Sequence, residues 1–284
     1  MKHVHQSWLA CVLCGVVLAL CLGVAPPDSA PAPAPDSVEA SLPELPAAMT
    51  PAAREQGWGS QRQDEMLARV RQGKPPVSIV FIGDSITQGW EDAGAEIWKR
   101  DFAPLGALQL GASGDRTEHV LWRLREAPLT PLEPRVIVLM IGTNNTATGR
   151  DSGEVIVRAI RLIVETLKQQ CPAAHILVLD IPPRGLQMNP VRGVVVQINQ
   201  ALSQCNWPAN VKFLQVGDRF VRGDGSIDPA NMPDALHFST KGYGMWSDSI
   251  RPAVAAILAP PIVAPPLPAP ALPAPPLPAP TSSP

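Results

Sequence analysis

Five short apolar runs, each followed by small polar residues and then a helical pattern, leave this chain few folds to choose from. Four are β-rich: "VSIVFI" (77–82), "RVIVLMI" (135–141), "HILVLDI" (175–181) and "VKFLQV" (211–216). A weaker fifth is "ALQLG" (107–111). Apolar runs without alternation belong to strands covered on both faces, as in a parallel sheet. Helical periodicity fills the gaps. It is clearest over 152–170, where Ile156, Ile160, Ile163 and Leu167 fall on one helix face. Residues 54–72, 116–126, 190–204 and 239–258 carry further helical patterns. Strand and helix in alternation predict a single three-layer α/β/α domain around a five-stranded parallel sheet. Ligands of such sheets collect at the carboxyl ends of the strands, so the residues after each run hold the functional expectation.

Proline marks the limits of that domain. Of the 34 prolines among 284 residues, eight lie in 26–51 and twelve in 260–284. Residues 26–51 read as a Pro/Ala-rich linker and 259–284 as a Pro-rich disordered tail, both extended and outside the core. Residues 52–258 have ordinary globular composition and form the expected folded domain. Residues 1–25 read as an export signal, with Lys2 ahead of an uncharged run from Trp8 to Val24 and a small-x-small site at Gly23–Ala25. An uncleaved anchor that tethers the protein to membrane or envelope is the alternative. Export, to the periplasm, the envelope or the medium, is the expected localisation. A net charge of −2 gives no reason to expect nucleic acid as a partner. Beyond the signal, Cys171 and Cys205 allow one disulfide, and sequence leaves their pairing open. The acids Asp218, Asp224 and Asp228 do not have calcium-loop spacing, and no metal site is expected.

The strand ends carry a pattern of their own. Gly83-Asp84-Ser85 follows the first run, "GASGDRT" (111–117) the second, "GTNNT" (142–146) the third and "PPRG" (182–185) the fourth. "PDALHFS" (233–239) precedes the last helix. A serine hydroxyl is a weak nucleophile until a base takes its proton. His237 is the base candidate in the right region, and Asp234 stands three residues before it, within reach on a helical turn. Ser85, Asp234 and His237 thus supply nucleophile, orienting acid and base. Attack on an ester creates an oxyanion that needs preorganised donors. The Ser85 N–H, the N–H of Gly114 and the Asn144 amide are candidates, with Gly111 an alternative to Gly114. Asp84 reads as a turn residue, Asn145 as suited to a left-handed turn, and Asp115 and Arg116 as braces of the loop. His119 reads as a helix-surface residue and His175 as a strand start. Tyr243 and Trp246 fit either an acyl pocket or a core anchor.

Ser85 in "GDSIT", Gly114 in "GASGD", Asn144 in "GTNN" and His237 in "DALH" match, in order, the four blocks of the SGNH (GDSL-type) hydrolases. Within that group the chain most resembles the catalytic subunits of platelet-activating-factor acetylhydrolase, through "GDRTEHVLWRL" (114–124), "VIVLMIGTNN" (136–145) and "PPRG". The resemblance spans about residues 77–258. It implies a flavodoxin-like sheet, no cofactor, and ester hydrolysis through an acyl-serine. It also implies Ser85, Asp234 and His237 as the triad, with Ser85, Gly114 and Asn144 as the oxyanion hole. The acetylhydrolase subunits pair, so a homodimer is a further implication. Ile86 replaces the family's leucine, and Ser113 stands where those subunits have glycine. Both departures bear on substrate shape. The expected substrate is a short acyl ester on a small molecule or glycan, with acetylated or lyso-phospholipid as the alternative. A non-catalytic glycan- or envelope-binding module is the remaining reading.

Overall fold

Branched apolar runs at the centre of the chain fold as strands buried along their whole length, β1 (Ile79–Gly83) and β3 (Val136–Met140). They are central in a five-stranded parallel sheet of order β2–β1–β3–β4–β5. The computed structural model describes residues 44–55, 57–74 and 77–259. The export signal, the linker as far as residue 43 and the tail beyond Ala259 lie outside the described residues. The other strands are β2 (Ala107–Gly111), β4 (His175–Leu179) and β5 (Val211–Leu214). All five fall within the runs named from sequence, or extend one by a residue. The order reverses between β1 and β3, and this is the point at which a doubly wound sheet opens a crevice.

Successive side chains along a strand point to opposite faces. Val80, Ile82, Ile137, Leu139, Ile176 and Val178 face one layer of helices. That layer holds α1 (Trp58–Gln72), α4 (Thr117–Glu126), α6 (Gly153–Gln170) and α7 (Pro190–Ser203). Ile79, Phe81, Val136, Val138 and Leu177 face the other layer. It holds α3 (Ala95–Asp101) and α8 (Thr240–Leu258). Its centre is aromatic: the Phe81 ring lies 5.0 Å from Phe102 and 5.1 Å from Trp98, both edge-on. Tyr243 and Trp246 of α8 are buried in the same cluster. Two short helices follow strand ends, α2 (Ser85–Gln88) after β1 and α5 (Thr143–Thr148) after β3. Among the described residues no helix is long and apolar enough to cross a membrane.

Two expectations need correction. Residues 44–51 do not extend away from the core. Ala47–Met49 form a 3-10 turn, and Ala48 is wholly buried. The Ala48 carbonyl accepts a hydrogen bond from the Thr117 hydroxyl at 2.8 Å. Small side chains let this turn settle against α4 and α6, where bulkier residues would be excluded. His119 is not on the surface either: it is 4% exposed, and its Nδ1 accepts the Arg116 N–H at 3.0 Å, capping α4 from inside. Cys171 and Cys205 are free thiols. His175 does open its strand, as read from sequence, and it is exposed.

Phe81 touches both the sheet and the helices of its layer, with no exposed surface. Phe81→Ala is expected to lower unfolding free energy by about 3–5 kcal/mol, read from urea or guanidinium midpoints.

Candidate active site

The turn after β1 has room for glycine alone. A Cβ on Gly83 would stand 2.1 Å from the Thr87 hydroxyl and 2.3 Å from the Met140 carbonyl, and that second clash is with backbone. Asp84 then caps α2, its carboxylate accepting the Ile86 N–H at 3.0 Å. Ser85 is the first residue of that helix, at the crevice. Its N–H has no acceptor among the described residues, as expected for the first turn of a helix.

His237 reaches Ser85 from the far end of the chain. The Ser85 hydroxyl donates to His237 Nε2 at 2.9 Å, across 152 residues. On the other side of the ring Nδ1–H donates to Asp234 Oδ2 at 2.7 Å. The expected helical turn between Asp234 and His237 is absent. In its place Asp234 folds its own loop: Oδ1 accepts the N–H of Leu236 at 3.0 Å and of His237 at 2.7 Å. Ala235 accommodates this turn with a left-handed φ of 56°, unusual for a residue with a Cβ. Its carbonyl is held by the Gly185 N–H at 2.8 Å. Burial works against ionisation of Asp234. The hydrogen bonds from the His237 ring and from the two backbone N–H groups outweigh it, holding the carboxyl below its ordinary value. An ionised Asp234 keeps the Nδ1–H tautomer and leaves Nε2 free to accept a proton.

The loop after β2 is tied to the same place. Gly114 has φ 76°, a conformation glycine adopts without strain. Its N–H has no partner among the described residues. The Ser113 N–H donates to Gln88 Oε1 at 2.8 Å, linking this loop to the helix of Ser85. Asn144 opens toward the loop from α5, and its amide donates to the Asp115 carbonyl at 2.8 Å. One amide hydrogen of Asn144 remains for a ligand. The structure therefore joins the segments of Ser85, Gly114 and Asn144 by direct hydrogen bonds.

Beneath the loop lie braces that sequence reasoning placed only in part. Asp115, fully buried, pairs with Arg123 of α4, and Arg116 pairs with Glu118 at 2.6 Å. Asn145 takes no left-handed turn. It is buried in α5, where its side chain accepts the Thr117 N–H at 3.1 Å and donates to the Thr117 hydroxyl at 3.0 Å. Arg54 donates to the Gly114 carbonyl at 2.7 Å, a contact with no sequence signal, because it joins residues 60 apart. Arg184 of "PPRG" donates to the Thr143 carbonyl at 2.8 Å, beside Asn144. Burial, reinforced by the charges of Arg116, Arg54 and Arg150 and opposed by Glu118, pushes His119 down to about 4. His119 is therefore neutral at pH 7 and is turned toward the brace.

Ser85 and His237 open onto a cavity of about 430 Å³. Phe238 and Tyr243 form its apolar side, and Tyr243 is fixed by donation from its hydroxyl to the Ile86 carbonyl at 2.6 Å. Gln88, Glu91 and Asp92 line the polar side. No Lys or Arg lines the cavity among the described residues. A larger cleft of about 820 Å³ lies between residues 44–55 and α4, but neither Ser85 nor His237 lines it.

The GDSL-like Lipase/Acylhydrolase family model matches residues 81–245, more than half of the chain. The chain is a GDSL-like lipase/acylhydrolase. This acylhydrolase is a carboxylic ester hydrolase by family. It is 40% identical over 167 residues to the platelet-activating factor acetylhydrolase IB subunit alpha2 of Rattus norvegicus, covering 58% of this chain and 70% of that one. A GDSL-like lipase from Bacteroides thetaiotaomicron has the same fold, with TM-score 0.56 and 21% identity over 70% of this chain and 98% of that one. A catalytic mutant of an acetylxylan esterase from Geobacillus stearothermophilus shares the fold at TM-score 0.51 and 19% identity, covering 64% and 95%.

Burial raises the Asp84 carboxyl to about 6, against the pull of the Ile86 N–H and of His237. Burial likewise raises Asp180, at the end of β4, to about 6, although its carboxylate accepts the N–H groups of Val216 and Gly217. An unfolded aspartate titrates near 4, so between about pH 4 and 6 the native acylhydrolase holds protons that the unfolded chain has lost. These two carboxyls contribute stability that is lost as pH rises through that window, while His119, held neutral by burial, contributes the opposite slope. Asp84→Asn removes one of the falling contributions, so its stability is expected to climb relative to wild type between about pH 4 and 6, read from denaturation midpoints across pH 4–7.

Proposed function

We propose that this acylhydrolase removes short acyl groups, acetyl foremost, from O-acetylated glycans through an acyl-serine intermediate. The observation that carries the reading is the unbroken hydrogen-bonded line from Asp234 through His237 to Ser85, ending in a small cavity with carboxylates and no cation. The Ser85 oxygen attacks the ester carbonyl while His237 Nε2 takes its proton. The carbonyl oxygen becomes an oxyanion and draws on the N–H groups of Ser85 and Gly114 and the amide of Asn144. One such donor is worth roughly 3–4 kcal/mol in the transition state. As the tetrahedral adduct collapses, His237 returns the proton to the alcohol oxygen, which leaves. Water then attacks acyl-Ser85, gives its proton to His237, and the acid departs with the serine restored.

The relatives named platelet-activating factor acetylhydrolase support a second reading, in which the alcohol is a phospholipid. A phosphate in this cavity would face the unpaired Asp92 carboxylate, with Glu91 already paired to Arg62 and Arg69 and no arginine or lysine lining the cavity to meet it. The neutral polyhydroxyl alcohol of a glycan meets no such repulsion. An exported protein, as residues 1–25 suggest, would encounter acetylated glycans outside the cytoplasm. The rigid Tyr243 and Phe238 side of the cavity favours a short acyl chain.

Ser85→Ala is expected to lower turnover of p-nitrophenyl acetate by about a million-fold, and Asp234→Asn by roughly a thousandfold or more. Equal rates for wild type and Ser85→Ala would end the esterase mechanism. Acetyl esters are expected to react at least about ten times faster than octanoyl esters, as kcat/KM, because one or more methylenes without a pocket cost about that factor. Preference for octanoyl, or for an acetylated phospholipid over an acetylated glycoside, would favour the second reading.

A further inference from the structure

Trp58 is the first residue of α1, and it is 55% exposed. It belongs to neither hydrophobic cluster of the core. Its indole lines the same cavity as Ser85 and His237. Single exposed apolar side chains are ordinary on a surface, but this one is a broad aromatic face set beside Ser85 and His237, where a bound molecule would meet it. The polar groups across the cavity are also underused. The Asp92 carboxylate has no hydrogen-bond or ion-pair partner among the described residues, although it lines the cavity. Gln88 uses its Oε1 to hold the Ser113 N–H, so both of its amide hydrogens are free. Glu91, by contrast, is already taken by Arg62 and Arg69.

One aromatic face, one free carboxylate and one free amide are what a pyranose ring asks of a binding site. A sugar has an apolar C–H face and a rim of hydroxyls that both donate and accept. The first suits an indole, and the second suits Asp92 and Gln88. We infer that Trp58 is the stacking platform for the sugar ring that carries the scissile ester, with Asp92 and Gln88 holding that ring's hydroxyls. The assignment rests on the acetylated-glycan reading above. Trp58 lies ahead of residues 81–245, the part of the chain that the family model matches. That segment is positioned on the oxyanion side: the Arg54 N–H donates to Gln63 Oε1 of α1 at 2.8 Å, while its guanidinium holds the Gly114 carbonyl. The ring and the Gly114 peptide are therefore held by one short stretch of chain.

The test compares two acetate esters whose alcohols differ in size. Ethyl acetate has no ring to stack on an indole and no hydroxyls for Asp92 and Gln88. A mono-acetylated methyl xyloside offers both. Trp58→Ala is expected to raise KM for the xyloside by about tenfold, the scale of a lost aromatic contact, with kcat within about twofold. It should leave kcat/KM for ethyl acetate within about twofold. Trp58→Phe should recover most of the xyloside KM, because it keeps a ring. Asp92→Asn should raise KM for the xyloside alone. A thermal melt matching wild type confirms that each variant is folded. An equal loss on both esters in Trp58→Ala, or no change on the xyloside, would overturn the platform. Wild type that cleaves ethyl acetate without preferring the xyloside would overturn it too. Absence of cleavage of either ester would strike instead at the esterase mechanism.

Discussion

A parallel sheet has one edge at which all its strands end, and this molecule places its chemistry on that edge. Ser85 follows β1, the Gly114 loop follows β2 and Asn144 follows β3. None of these loops could meet if the strands alternated in direction. The reversal of order between β1 and β3 sends the chain to opposite faces and leaves the gap between them open. Into that gap the chain returns 152 residues after Ser85 with His237. The cost of closing so long a loop is met by α8, which buries Tyr243, Trp246, Ile250 and Val254 against the sheet immediately afterwards.

Edge loops are polar and would be loose without internal ties. Here the ties are ion pairs on buried acids and one buried amide. Asp115 sits on Arg123, Glu118 on Arg116 and Arg150, and Asn145 spans to Thr117. Charges removed from water add little net stability even when paired. Their use is directional: they tie the loop after β2 to α4 and α5. Asp234 works by the same economy, shaping its loop with one oxygen and steering the His237 ring with the other.

The sheet was legible because its strands are unbroken apolar runs bounded by glycine and polar residues. The long helices were legible from periodicity, as with Ile156 to Leu167 of α6. Helix α3, at seven residues, is too short to show a period, and it passed unnoticed. The Ser85, Asp234 and His237 neighbourhood could be read from order and chemistry, though not the turn that joins the last two. His119 and Asn145 were misjudged because their burial depends on what packs over α4 and α5, and nothing local records that. The proline-rich composition around Ala48 masked a small-residue turn that docks. Arg54 and Trp58 carry no local pattern. Their place at the cavity and at Gly114 exists only once α1 is laid against the sheet.

The hydrogen bond from Arg54 to the Gly114 carbonyl ties a peripheral strap to the loop proposed above to supply an oxyanion donor. Strap and sheet need not melt together, since residues at a domain's margin open with less free energy than its core. Fraying of that margin would release the Gly114 peptide while the sheet stays intact. Heat would then silence this enzyme at a temperature where its circular dichroism still looks native, and cooling would bring the activity back.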